Sequence, residues 1–234
     1  KAINVLEKQI KELLSNNEQP SPSAILILAS YKALHKYDWC QSLIVTNQIQ
    51  EVFTRQVEEP NQEKKLKLNI PILEEINNKV SSKVREQYEE SPYPRWVNLS
   101  LKLEPSPISK VVEEAKLKLH CEKINEAKNP DILIAGCGTG QHSITTAARF
   151  KSSKVLAIDL SLSSLAYAKR KTDELAIENI EYMQADILDL GKLKKKFDII
   201  ESYGVLHHMD NPMAGWKVLT DCLKPGGLMG IGLY

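Results

Sequence analysis

The chain has 234 residues, 42% of them hydrophobic and 26% charged, a balance too apolar for a disordered protein. Lys and Arg number 31 against 30 Asp and Glu, 12 against 13 before residue 90 and 19 against 17 after it, so neither half has the basic excess of a nucleic-acid-binding surface. The longest apolar run, 24–29, is far below the roughly 20 residues that cross a bilayer. No signal-peptide layout opens the chain. Cys40, Cys121, Cys137 and Cys222 form no CxxC pair, so they are expected as reduced, buried thiols of a cytoplasmic protein without a metal site. The start at Lys1 and the apolar ending GGLMGIGLY suggest a piece of a longer protein.

The first part reads as helices. Ile3, Leu6, Ile10, Leu13 and Leu14 make an amphipathic stripe over 2–14. Ser21 and Pro22 predict an N-cap and first helical residue for a helix ending near Asp38. A third helix is expected over 41–57, stopping before Pro60, and a fourth over 72–89. No period near 34 residues marks a repeat array, so 1–87 is expected as a small all-α domain. It is also the expected contact surface if the protein has a protein partner.

Texture changes at Tyr88-Glu-Glu-Ser-Pro-Tyr-Pro-Arg-Trp96. Its prolines break any helix, and its aromatic residues suit either a pinned linker or a lid over a ligand, with Tyr93 and Trp96 as the contact residues. The segment 88–105 is read as that linker or lid.

From 106 a helix over 106–119 precedes strands at 131–135, 154–158, 179–183, 197–201 and 227–233, with helical segments between. The alternation predicts an α/β fold with a doubly wound, mostly parallel, Rossmann-like sheet over 106–234, behind the helical domain. Ligands of such sheets bind at the carboxyl ends of the strands.

The loop after the first strand, Gly136-Cys137-Gly138-Thr139-Gly140, allows a sharp turn and close backbone approach to a ligand at a helix N-terminus. A nicotinamide-dinucleotide fingerprint needs a small residue where Gln141 stands, and no Gly-Lys-Ser/Thr follows for a Walker loop. Asp159 ends the second strand, 23 positions beyond Gly136, where a carboxylate accepts from ribose hydroxyls or caps the next helix. Asp186 and Ile187 follow the third strand, suited to an adenine edge and face or to a simple turn cap. The fourth strand runs into Glu201, Tyr203, His207 and His208. Of the two histidines at most one is expected to face a pocket as a base. Cys137 is read as a packing residue, having no His or Lys beside it.

IAGCGTG, Asp159, Asp186, the VLHH stretch and the LKPGG turn, in that order, resemble the class I S-adenosylmethionine-dependent methyltransferases, and specifically their UbiE-like small members. YEESPYPRW behind helices further resembles a bacterial subgroup with helical or tetratricopeptide repeats before this domain. The resemblance spans about 108–234. It implies methyl transfer from S-adenosylmethionine to an acceptor it does not identify, a small molecule or a protein. It also implies that Gly136–Gly140 hold the methionine end and ribose, Asp159 and Leu160 the ribose, and Asp186 and Ile187 the adenine, with Glu201 and Tyr203 at the mouth. Two further strands expected of a complete domain are missing from the chain. A cofactor-binding interaction module without turnover, and less readily an NAD-dependent oxidoreductase, are the other readings.

Overall fold

The computed structural model describes residues 1–101 and 104–233; positions 102 and 103 of the expected linker, and residue 234, lie outside them. The chain forms two compact units, 1–65 and 66–234.

In the first unit, α1 (Ala2–Ser15) and α2 (Pro22–Ala29) follow the sequence reading, and Ser21 Oγ accepts from the Ala24 amide at 3.3 Å. The helix after Pro22 ends at Ala29, not near Asp38, and a short 3₁₀ turn Leu34–Lys36 follows. Ile10, Ile25, Leu28, Leu34, Tyr37, Phe53 and Val57 make its core. The third helix differs more. It runs from α3 (Gln50–Phe53) through a π-helical turn, Thr54–Glu58, into α4 (Glu59–Lys67), passing Pro60. Proline has no N–H for the carbonyl four residues back. That carbonyl, on Gln56, instead meets His35 Nδ1 at 2.8 Å, and the π turn absorbs the ring.

The second unit begins at residue 66, so the stretch 66–87, expected with the helical front end, belongs to the α/β unit. Residues 71–73 are extended: the Gln184 amide donates to Pro71 O at 2.8 Å, and the Leu73 amide donates to Gln184 O at 2.9 Å. Helix α5 (Lys79–Glu90) starts only at Asn78, whose Oδ1 caps the Val80 and Ser81 amides. Then α6 (Ile108–Glu114), shorter than the expected 106–119, leads to the sheet.

Strands β1 (Asp131–Ala135), β2 (Lys154–Asp159), β3 (Ile180–Gln184), β4 (Phe197–Tyr203) and β5 (Leu223–Gly232) are all parallel, ordered β3-β2-β1-β4-β5. Helices α7 (Gln141–Arg149), α8 (Leu162–Glu174) and α9 (Pro212–Cys222) make crossovers. Both faces are covered, as parallel sheets require. Ile132 and Ile134 pack with Ala147, Leu165 and Ala168, while Leu133 and Ala135 pack with Ile200, Leu206 and Leu219. The strand order reverses between β1 and β4, which opens a crevice at their carboxyl ends.

Cys40, Cys137 and Cys222 are buried free thiols; Cys121, expected inside, is exposed. Among the described residues no helix is long and apolar enough to cross a membrane, and no cluster of His, Cys, Asp or Glu is placed to hold a metal ion.

Candidate functional site

At the end of β1 the chain turns on glycine. Gly136 and Gly140 have φ of +79° and +87°. A Cβ on Gly136 would stand 2.3 Å from Val205 Cγ2, and one on Gly140 2.5 Å from Ala168 Cβ. The Gly136 and Cys137 amides both donate to Ile158 O at 2.9 Å, holding the loop to β2. From outside, Thr139 Oγ1 donates to Pro94 O at 2.6 Å, and Trp96 Nε1 donates to Thr139 O at 3.0 Å.

The loop walls a cavity of about 580 Å³. Asp159 lines it, with Oδ2 accepting from the Gly138 amide at 2.8 Å and Oδ1 from the Ser161 amide at 2.9 Å. The cap of α8 is Ser161, whose Oγ accepts from the Ser164 amide, so Asp159 is not spent as a helix cap. Burial raises the Asp159 carboxyl above its ordinary value, against the pull of the backbone amides. Asp186 and Ile187 line the same cavity, and Asp186 Oδ1 also accepts from the Leu188 amide at 3.0 Å. Turn cap and cavity wall are thus one residue. Leu160, Cys137, Gly138 and Thr139 complete this side, and burial followed by Asp159 pushes the Cys137 thiol well up, away from a reactive thiolate.

Tyr203 and His208 line the cavity as well. The two histidines occupy a short turn, Leu206–His208, with ring centroids 4.1 Å apart, and His208 alone of the pair lines the cavity. Burial, then His207, lowers the His208 pKa. Besides His207, three expected site residues stand back. Gly140 opens α7 behind the cavity wall. Glu201 is turned away into contacts with His142, Thr146 and Arg149. Trp96 is buried against Ile144 and Tyr167, while Tyr93, 74% exposed, stays at the cavity wall.

Sequence reasoning missed most of one wall, reaching only Tyr88, the first residue of the expected linker or lid. Val80, Ser81, Val84 and Tyr88 of α5 line the cavity. The helix is tied down at its end: Glu89 Oε2 accepts from Ser161 Oγ and from the Ser163 amide, both at 3.0 Å. The spacing Val80-Val84-Tyr88 signals a one-sided apolar helix, but not what it covers. His142, directly after the Gln141 position that argued against a dinucleotide, was also missed.

Residues 132–227 match the family model of a methyltransferase domain. Over that stretch the α/β unit is similar to S-adenosylmethionine-dependent methyltransferases. Its relatives include an uncharacterized protein of Synechococcus sp., syc1184_c, 37% identical over 45% of this chain and 25% of that protein. A probable (S)-tetrahydroprotoberberine N-methyltransferase 2 of Papaver bracteatum is 27% identical over 60% of this chain and 39% of its own. A ubiquinone biosynthesis O-methyltransferase of Coxiella burnetii is 30% identical over 56% of this chain and 53% of its own. The chain therefore spans between a quarter and about half of these relatives' lengths.

Proposed function

We propose that this chain binds S-adenosylmethionine in the cavity between β1 and β4 and transfers its methyl group to a small-molecule acceptor. The observation that carries the reading is Asp159. Its carboxylate is fixed by the amides of Gly138 and Ser161 on the same cavity wall as the glycine loop, Asp186 and Ile187. In this reading the loop 136–140 receives the methionine end, Asp159 and Leu160 the ribose, and Asp186 and Ile187 the adenine. Bound there, the cofactor supplies a sulfonium methyl already activated for displacement. The chain's own residues orient it and keep the cavity dry.

A cavity of about 580 Å³ lies within the roughly 300–1,000 Å³ that small ligands fill. It continues past the glycine loop to Tyr203, His208, Val84 and Tyr88, which favours room for an acceptor over a binding module without turnover. Gln141 stands against a dinucleotide. The N- and O-methyltransferase names of the relatives leave the acceptor atom open.

Calorimetry with S-adenosylhomocysteine tests the assignment. Asp159→Ala is expected to weaken binding by roughly 10- to 150-fold, the loss of one charge-assisted hydrogen-bond set. Undiminished affinity in a folded variant would remove Asp159 from the cofactor site.

A further inference from the structure

Glu201 and His142 form a pair that the cofactor loops do not use. Glu201 lies buried on β4, and His142, at the start of α7, lines the cavity with its side chain 42% exposed. Their closest atoms, His142 Nε2 and Glu201 Oε2, are 2.9 Å apart. Thr146 Oγ1 donates to the same carboxylate oxygen at 2.8 Å, and the Arg149 guanidinium lies 3.6 Å from the other. Burial pushes the Glu201 carboxyl up, but His142, Thr146 and Arg149 together bring it below its ordinary value. An ionised carboxylate only accepts, so Nε2 is the nitrogen that donates to Glu201, and in a neutral imidazole Nδ1 is then the one with the lone pair. The Tyr203 ring meets the imidazole edge-on at 4.9 Å between centroids and fixes its plane. A carboxylate that orients an imidazole beside a cavity is the arrangement that holds a general base in place.

We propose that His142 takes the proton of the methyl acceptor, with Glu201 as its positioning residue, and that the acceptor is an uncharged, hydroxyl-bearing small molecule. The inference rests on the methyl-transfer reading. In the step, the acceptor O–H proton passes to His142 Nδ1 and the oxygen lone pair forms the bond to the sulfonium methyl. The carbon–sulfur bond breaks with its electron pair remaining on sulfur, which becomes a neutral thioether. The imidazolium formed faces the Glu201 carboxylate. In the methyl-transfer reading Asp159 and Asp186 are taken by ribose and adenine, and the remaining described lining residues include no Lys, Arg, Asp or Glu, which suits an uncharged acceptor. The charged and titratable groups around the imidazole are Glu201 and Tyr203 from β4 and Arg149 from its own helix, while His208 lines the cavity from the turn after β4.

The test is histidine nitrogen NMR of the complex with S-adenosylhomocysteine, with catechol as the hydroxyl probe, and calorimetry on the same samples. The expected result is a neutral His142 protonated at Nε2, an Nδ1 resonance that catechol shifts, and loss of the single tautomer in Glu201→Gln. Catechol affinity is expected to fall by roughly tenfold in His142→Phe, the loss of one hydrogen bond, with benzoate and benzylamine binding more weakly than catechol throughout. A proton on Nδ1, or a catechol shift at His208 alone, overturns the proposal. Tighter binding of either charged probe overturns the acceptor class. Failure to bind S-adenosylhomocysteine would instead strike the methyl-transfer reading itself, so the two failures are separable.

Discussion

Trp96 donates its indole N–H to the carbonyl of Thr139 across 43 positions of sequence, at 3.0 Å. The aromatic segment therefore acts on the glycine loop from behind. Trp96→Phe leaves the buried Thr139 carbonyl without its donor and is expected to cost about 1–3 kcal/mol. Trp96→Ala, which also opens a cavity, is expected to cost about 3–5 kcal/mol. Denaturant unfolding measures both. A variant with unchanged stability but altered ligand affinity would restore the lid reading for this residue.

The glycine loop gives a sharper contrast. Alanine at Gly136 or Gly140 meets Val205 or Ala168 at well under contact distance and holds a positive φ that alanine resists. Each is expected to destabilise by at least about 1–3 kcal/mol. A methyl group on Gly191 would have no neighbour within 4 Å, and Gly191→Ala is expected to stay within about 0.5 kcal/mol of the parent. Equal melting temperatures for all three variants would mean that the loop does not hold this conformation.

Glu89 joins the end of α5 to the start of α8 and also pairs with Lys67 at 2.5 Å. Its side chain is 35% exposed, so solvent screening moderates the pairing. Glu89→Ala is expected to cost about 1–2 kcal/mol and to raise hydrogen exchange across Lys79–Glu90, with weaker binding in the cavity that α5 walls. Exchange in α5 matching that of the parent would show that Glu89 does not fasten it.

Acid should loosen the same unit. Glu201, Glu89, Asp131 and Glu174 all have carboxyls below their ordinary values, because their partners outweigh the burial that pushes them up. An acid depressed on folding adds stability above its unfolded value and loses it as the pH falls through its folded one. The melting temperature is therefore expected to drop as the pH falls below the ordinary 4.5 of Glu201, with a shallower drop in Glu201→Gln. Asp159 runs the other way: burial raises it, so its share is present below the ordinary 3.8 and lost as the pH rises through its folded value. A Glu201→Gln profile parallel to the parent's would contradict the pairing with His142.

The sheet was legible because apolar runs such as DILIA and KVLAID need burial on both faces, and glycine or aspartate punctuates their ends. One wall of the cavity was legible for a related reason: Gly136, Asp159 and Asp186 stand at or just past the ends of strands, and those ends converge in any sheet of this winding. Residues brought in from other elements were not. His142 and Glu201 lie 59 positions apart, and neither marks the other in sequence. The Val80-Val84-Tyr88 stripe has the same spacing whether it meets a core or a cavity. Pro60 signals a helix stop by its chemistry, and the π turn together with the tertiary bond from His35 to Gln56 O removes the need for one.

The measurement closest to the central claim is parallel calorimetric titration of the chain with S-adenosylmethionine, S-adenosylhomocysteine and NADH. Binding of both sulfur ligands at roughly micromolar affinity, about −8 kcal/mol, with no heat from NADH, is the expected result. Binding of NADH without either sulfur ligand would contradict it.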